Sequence, residues 1–166
     1  MISAYVCLGS NLGDAESCLA RARAELDSLP GVTLAAASSL YRTEPQGRKD
    51  QPWFLNQVVR LSCTDSVEPE QLLDAMLAKE LDMGRVRDAN DRFGPRVIDM
   101  DLLLFGEEVR AETPHLLLPH PRMTERAFVL VPLVELEPDL VLPDGQKAAE
   151  ILDKLDYRLE DSAIFQ

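Results

Sequence analysis

Apolar and polar positions alternate from the start of the chain. Ile2, Ala4, Val6 and Leu8 fall on one side of an extended backbone, so residues 2–8 are predicted to form a strand that ends at Gly9. The turn chemistry of GSNLGD follows, in which Asp14 or Asn11 can cap a helix running to about Leu29, with Cys18, Ala22, Leu26 and Leu29 turned inward. Pro30 and Gly31 stop it. A second strand is predicted over roughly 32–41 and a third over roughly 54–62. The polar connection RTEPQGRKDQPW between them is long for a hairpin, and long loops in compact domains are often functional. Pro69 then opens a second helix, PEQLLDAMLAKELDMG, whose apolar stripe is Leu72, Leu73, Met76, Leu77 and Leu81 and whose end is Gly84.

The next apolar run, VIDMDLLLF, is predicted to be a strand interrupted by two carboxylates. With a period of two, Asp99 and Asp101 share one face while Ile98, Met100, Leu102 and Leu104 share the other. A short hairpin near EEVRAETPHLLLP, a helix over MTERAFVLVPLVEL, a turn at PDG and a last short helix complete the pattern. The order β-α-β-β-α-β predicts an α+β fold, ferredoxin-like, with an antiparallel sheet, an added hairpin and helices in an α/β/α layering.

Composition narrows the function classes. The 166 residues, 46% hydrophobic, suit one domain over 1–166. Apolar runs are too short to span a bilayer and the N-terminus carries no basic leader, so a cytoplasmic protein without membrane contact is expected. Cys7, Cys18 and Cys63 have no C-x-x-C spacing and are expected to be buried thiols. A net charge of −12 argues against nucleic acid. Yet Arg85, Arg87, Arg92 and Arg96 cluster directly before the two aspartates, an arrangement that suits a small polyanion. On charge alone, a solvated loop explains them too.

Two neighbouring carboxylates without nearby His or Cys fit a hard cation such as Mg²⁺, which completes its octahedron with water and substrate phosphates. A solvent-facing pair on a surface strand is the alternative. Guanidiniums beside such a pair are the parts that phosphoryl-type transfer needs. No Walker A, G-x-G-x-x-G or H-R-D motif is present, so a nucleotide would be held in another way. Glu80 lies two turns beyond Leu73, either against the packed face or with its head in water. His115 and His120 would suggest zinc on a helix, but Pro119 makes their segment extended. His120 is then a phosphate donor or an ordinary turn histidine. Phe54 and Phe128 are core residues or a ligand clamp.

Taken together, YVCLGSNLGD, YRTEPQG followed by QPWFLNQVV, GRVR, RFGPRVIDMDLLLFG and LPHPRMTERAFVLVPLVEL resemble the 6-hydroxymethyl-7,8-dihydropterin pyrophosphokinases of folate biosynthesis. The match covers roughly residues 4–138, and residues 139–166 add little to it. The resemblance implies transfer of the β,γ-diphosphate of ATP to the hydroxymethyl oxygen of the pterin, leaving AMP. It implies that Asp99 and Asp101 hold two Mg²⁺ ions, with Arg85 and Arg96 as further catalytic groups. Arg85 and Arg87 resemble the arginines of a loop that closes over ATP, so the segment 84–94 reads as a lid. Glu80, Arg92, Leu102, His115, His120 and Arg126 join Arg87 on the ATP side. Phe54 and Phe128 would sandwich the pterin, Asn56 and Thr43 would read its polar edge, Pro45 and Gln46 would line its loop, and Phe93 would cover it. Glu44 and Gln46 depart from apolar residues of some members, and His115 from an arginine. The expected partners are ATP and the pterin, acting on a monomer. A non-catalytic anion-binding module and a nucleotidyltransferase remain open readings of the same residues.

Overall fold

The computed structural model describes residues 1–45, 47–86, 90 and 93–166. Strand β1, Ile2–Ser10, is buried from Ala4 onward because it is a central strand, flanked antiparallel by β4 (Phe54–Cys63) and β5 (Asp99–Phe105). Both its faces are covered. Ala4, Val6 and Leu8 pack with residues of α1 (Ala15–Asp27) and α2 (Pro69–Asp82), while Tyr5 and Cys7 pack with α3 (Ala127–Leu136) and α4 (Ala148–Asp153).

Asp14 is the cap of α1, accepting from the backbone N–H of Ser17 at 3.1 Å. The inward residues of α1 are Leu19, Ala22 and Leu26, whereas Cys18, expected inside, is only partly buried. Leu19 lines up with Ala22 and Leu26 at three- and four-residue spacing, which leaves Cys18 on the flank of the stripe. In α2 the buried line is Leu72, Met76 and Glu80. Leu81, expected in the stripe, is 64% exposed, since it sits about 100° round the helix from Glu80. Glu80 itself is 1% exposed, so its head is not in water.

The strand expected over 32–41 is broken into β2 (Val32–Ala37) and β3 (Tyr41–Thr43), both paired with β4. At the break the Ser38 hydroxyl accepts the N–H of Val58 at 3.1 Å, replacing a ladder carbonyl. In β5 the register shifts: Leu102 lies opposite Val6 but Leu104 lies opposite Tyr5. This bulge turns Leu104 to the α3 side with Leu103, and Phe105 to the α1 and α2 side, overturning the expected common face of Leu102 and Leu104. Asp99 and Asp101 precede the bulge and keep the face that alternation assigns them.

A hairpin of β6 (Arg110–Thr113) and β7 (Leu116–Leu118) stands apart from the main sheet. The helix expected over MTERAFVLVPLVEL is a 3₁₀ turn, Met123–Glu125, then α3, with Arg126 extended between them (φ −114, ψ 110). The C-terminal segment adds β8 (Arg158–Glu160) and β9 (Ala163–Phe165). The main sheet runs β5-β1-β4-β3-β9-β8, with β2 also on β4. Because β9 pairs parallel with β3, the sheet is mixed and not antiparallel throughout. Among the described residues no helix is long and apolar enough to cross a membrane.

Candidate active site

The two aspartates open β5, where Asp99 lies opposite a strand position that has no side chain. Asp99 pairs with Gly9 and Asp101 with Cys7. A Cβ on Gly9 would lie 2.7 Å from Oδ1 of Asn56 and 3.8 Å from Cδ1 of Phe54, so only glycine leaves the Asn56 amide its place. Asn56 in turn donates through Nδ2 to the Thr43 hydroxyl. Gly9, Asn56, Thr43, Phe54 and Phe128 thereby frame a small pocket of about 90 Å³, with Cys7 and Glu44 also on its wall.

On the other side of the aspartates is an open cleft of about 700 Å³, bounded by Leu73 and Leu77 of α2, the 93–96 segment, Leu102, and the 114–126 stretch that carries His115, His120 and Arg126. Phe93, Arg96, Asp99, Asp101 and Arg126 line both cavities. The carboxylates are therefore a partition at which molecules in the cleft and in the pocket would meet.

Charge around the two aspartates is unequal. Arg85 reaches Asp99 Oδ1 through Nη1 at 2.6 Å and also pairs with Glu80, while Arg96 Nη1 lies 3.1 Å from Asp99 Oδ2. Glu80 accepts the backbone N–H of Met100 at 3.4 Å, which ties α2 to β5 beneath the site. Asp101 has no such support: no hydrogen bond or ion pair among the described residues reaches its carboxylate. Burial, and then the charge of Asp99, push its carboxyl up to about 7, against the opposing pull of Arg126. Burial raises the Cys7 thiol for the same reasons, helped by both aspartates.

Two adjacent oxygen donors, one of them under-compensated, are the donor set that a hard cation stabilises. Among the described residues no third His, Cys, Asp or Glu completes a metal cluster, a sparse oxygen set of the kind Mg²⁺ supplements with water and substrate oxygens. The residues fit Mg²⁺ and do not fit zinc.

His120 is held on both sides. Its backbone N–H donates to the Leu103 carbonyl at 2.9 Å, and its ring Nδ1 accepts the backbone N–H of Arg122 at 3.2 Å. Burial first, then the Arg126 charge, lower its pKa to about 4. It is thus a neutral imidazole with the proton assigned to Nε2, able to donate into the cleft. His115, at the exposed lip, pairs with Asp74 of α2 at 3.1 Å. The segment between the histidines is β7, which is extended, as Pro119 implied.

Each aromatic wall carries a guanidinium: Arg96 lies 5.5 Å from the Phe54 centroid and Arg126 5.5 Å from the Phe128 centroid. Both phenylalanines are only partly buried and open to the pocket, Phe128 with its other side packed against the α3 and α4 core cluster. Of the residues singled out in the sequence, Glu80 and Pro45 line neither cavity; Pro45 is buried, with its carbonyl accepting from Lys49 at 2.9 Å. Arg87, Arg92 and Gln46, and much of the segment 84–94, lie outside the described residues.

Sequence reasoning missed the polar frame behind Arg96. Asn11 Oδ1 accepts the Arg96 N–H at 2.8 Å, and the Asn11 N–H donates to the Arg96 carbonyl at 3.1 Å. Asn11 Nδ2 donates to Gln51 Oε1 at 2.9 Å, and Gln51 Nε2 donates to the Phe93 carbonyl at 2.5 Å. The loop at 44–53 is in this way tied to the segment that carries Phe93 and Arg96. The signal was Asn11 itself, a polar residue in the first turn that is not needed as a helix cap once Asp14 serves.

Comparison with known proteins gives concordant results. A model of the 7,8-dihydro-6-hydroxymethylpterin-pyrophosphokinase (HPPK) family matches residues 5–138. A 2-amino-4-hydroxy-6-hydroxymethyldihydropteridine pyrophosphokinase of Pseudomonas aeruginosa is 47% identical over 148 residues, covering 89% of this chain and 88% of the relative. One of the same name from Methylorubrum extorquens is 46% identical over 156 residues, covering 94% and 95%. Among solved structures, Plasmodium falciparum HPPK-DHPS with pteroate aligns with a TM-score of 0.69 at 14% identity, over 92% of this chain and 42% of that longer one. At that identity the likeness concerns the fold alone.

Proposed function

This chain belongs to the 7,8-dihydro-6-hydroxymethylpterin-pyrophosphokinase family, and we propose that its chemistry takes place at the carboxylate partition between the two cavities. Its activity is that of an ATP-dependent diphosphotransferase of folate biosynthesis: the β,γ-diphosphate of ATP passes to the hydroxymethyl group of 6-hydroxymethyl-7,8-dihydropterin, giving AMP and the pterin diphosphate. The strand order β5-β1-β4 with β2 and β3 beyond supports reading its core as a ferredoxin-like βαββαβ unit in three layers, with residues 1–166 as one domain.

In this reading the cleft takes ATP. Arg96 and Arg126 face the phosphates as fixed positive charge, and neutral His120 adds a hydrogen-bond donor without adding charge. Leu102 bounds the cleft and His115 stands at its lip. Arg87 and Arg92 belong to the same arginine-rich segment and are assigned to ATP with them. Arg85, pinned between Glu80 and Asp99, orients the Asp99 carboxylate.

The pocket takes the pterin. Phe54 and Phe128 form its aromatic walls, and the Asn56 and Thr43 side chains, already bonded to each other, present polar groups to the ring's edge. Phe93 lines both cavities and covers the junction; Pro45 and Gln46 belong to the loop that follows Thr43. Bound by Asp99 and Asp101, Mg²⁺, two ions in this reading, supplies neutralisation of the phosphate charge and lowers the barrier to attack at phosphorus. A monomer is taken as the acting unit.

The observation that carries this reading is that Asp99 and Asp101 line both cavities. Its test is Asp99→Ala and Asp101→Ala. Each should remain folded by circular dichroism and lose about 10²-fold or more in kcat, the scale for removing one preorganised electrostatic element. Near-normal turnover at saturating Mg²⁺ would remove the pair from the mechanism.

A further inference from the structure

Gln166 belongs to none of the motifs above, and it lines neither cavity. Its side-chain amide nonetheless makes two bonds to one short stretch of backbone. Oε1 accepts the N–H of Ala127 at 2.7 Å, and Nε2 donates to the carbonyl of Glu125 at 2.7 Å. Those two peptide groups flank Arg126.

The local geometry explains what this clamp does. Ala127 is the first residue of α3, so its N–H has no acceptor within the helix, and no side chain of Arg126 caps that end. The apolar pattern from Met123 to Leu136 favours one continuous helix, as the sequence predicts. The break at Arg126 therefore runs against local preference and needs an outside partner. Gln166 supplies an acceptor and a donor at that break, in the manner of a neighbouring strand. The break sends Arg126 toward both cavities and sets the helical phase of Phe128, which sits in the first turn of α3 and forms one pocket wall.

Gln166 directly follows β9, and that strand is fixed at its other end to the opposite wall. β9 pairs in parallel with β3, with Arg42 opposite Ala163 and Thr43 opposite Ile164. Thr43 is the hydroxyl that accepts from Asn56. β9 and the residue that follows it thus link the polar edge of the pocket to the start of α3.

We propose that Gln166 is a positioning residue for the transfer: by clamping the peptide groups on either side of Arg126, it sets the gap between Phe128 and Phe54 and aims the Arg126 guanidinium. The assignment rests on the reading of the pocket as the pterin site. It gives the C-terminal strand a part in substrate recognition, although that strand contributes no side chain to either cavity.

The test uses the full chain with Gln166→Met, which keeps length and removes both bonds, and Gln166→Glu, which keeps the acceptor and loses the donor. Each is also combined with Phe128→Ala. Gln166 is exposed, so these variants should fold, with melting temperatures close to that of the parent. Gln166→Met should weaken pterin binding in a fluorescence titration by about three- to ten-fold, the scale of one or two ordinary hydrogen bonds. It should also lower kcat, and Gln166→Glu should fall between it and the parent. In the Phe128→Ala background Gln166→Met should weaken pterin binding little further, because the wall it positions is gone. Wild-type pterin affinity and kcat in Gln166→Met, with Phe128→Ala impaired, overturn the proposal alone, as does full additivity of the two substitutions. Unchanged pterin affinity in Phe128→Ala instead sinks the pocket reading, and the proposal with it.

Discussion

Arg85 Nη1 lies 2.6 Å from Asp99 Oδ1, and the same guanidinium pairs with Glu80 beneath β5. With only 11% of its side chain exposed, Arg85 bridges one site carboxylate to a buried structural one. Removing it withdraws an orienting charge from Asp99 and a buried ion-pair contact from Glu80. Arg85→Ala should lower kcat far more than it weakens ATP binding, and should also lower stability on the ~3 kcal/mol scale of breaking a buried pair. Adding Glu80→Gln, whose side-chain oxygen still accepts from Met100, should restore most of the stability and none of the turnover. Recovery of both together, in parallel thermal-melt and steady-state assays, would make Arg85 a structural residue only.

Phe54 is partly buried, faces the pocket and lies under Arg96. Phe54→Ala should weaken pterin binding by about 1–3 kcal/mol, on the scale of base–aromatic stacking, and leave ATP affinity nearly unchanged. Calorimetric titration of each substrate separates the two. Equal loss of both affinities, with a lowered melting temperature, would return Phe54 to the core.

His120 gives a pH dependence with a defined sign. Its folded pKa of about 4 is below the ordinary histidine value, so between that value and about 4 the unfolded chain binds the proton and the folded chain does not. The His120 contribution to stability is therefore intact above about 6.5 and is lost as pH falls toward 4. Urea unfolding at stepped pH should show a shallower decline for His120→Gln than for the parent. Identical slopes, or an imidazole NMR titration of His120 centred near 6.5, would contradict a neutral donor at this position.

How far the sequence could be read depended on the range of each interaction. Alternation along VIDMDLLLF puts Asp99 and Asp101 on one face without reference to any other strand, and the structure agrees. The same alternation fails at Leu104, because the bulge arises from pairing with β1 at Tyr5 and Val6, which no local pattern encodes. Helical spacing brings Glu80 to the packed side of α2 but says nothing of Arg85 and Met100, whose bonds allow a carboxylate to be buried there. Arg126 reads as the interior of a long helix, since its break depends on a side chain 40 residues on. β9 is invisible for a related reason: three residues paired in parallel with a three-residue strand leave no periodic trace. Arg96 and Phe93 were legible through their motif, whereas the Asn11 and Gln51 bonds that hold their segment join parts of the chain far apart.

Which phosphorus the hydroxyl attacks is the most direct question to put to this site. A γ-directed kinase leaves ADP, and a nucleotidyl transfer releases pyrophosphate. Attack at the β-phosphorus forms the oxygen–phosphorus bond to the pterin as the α,β-bridging bond breaks, and leaves AMP. With the phosphates in the cleft, the pterin hydroxyl entering from the pocket, and Asp99 and Asp101 between them, the purified protein incubated with ATP, Mg²⁺ and 6-hydroxymethyl-7,8-dihydropterin should yield AMP and pterin diphosphate in equal amounts. Neither ADP nor free pyrophosphate should accumulate. ADP as the main product, release of free pyrophosphate, or ATP binding without any turnover would contradict diphosphate transfer at this site.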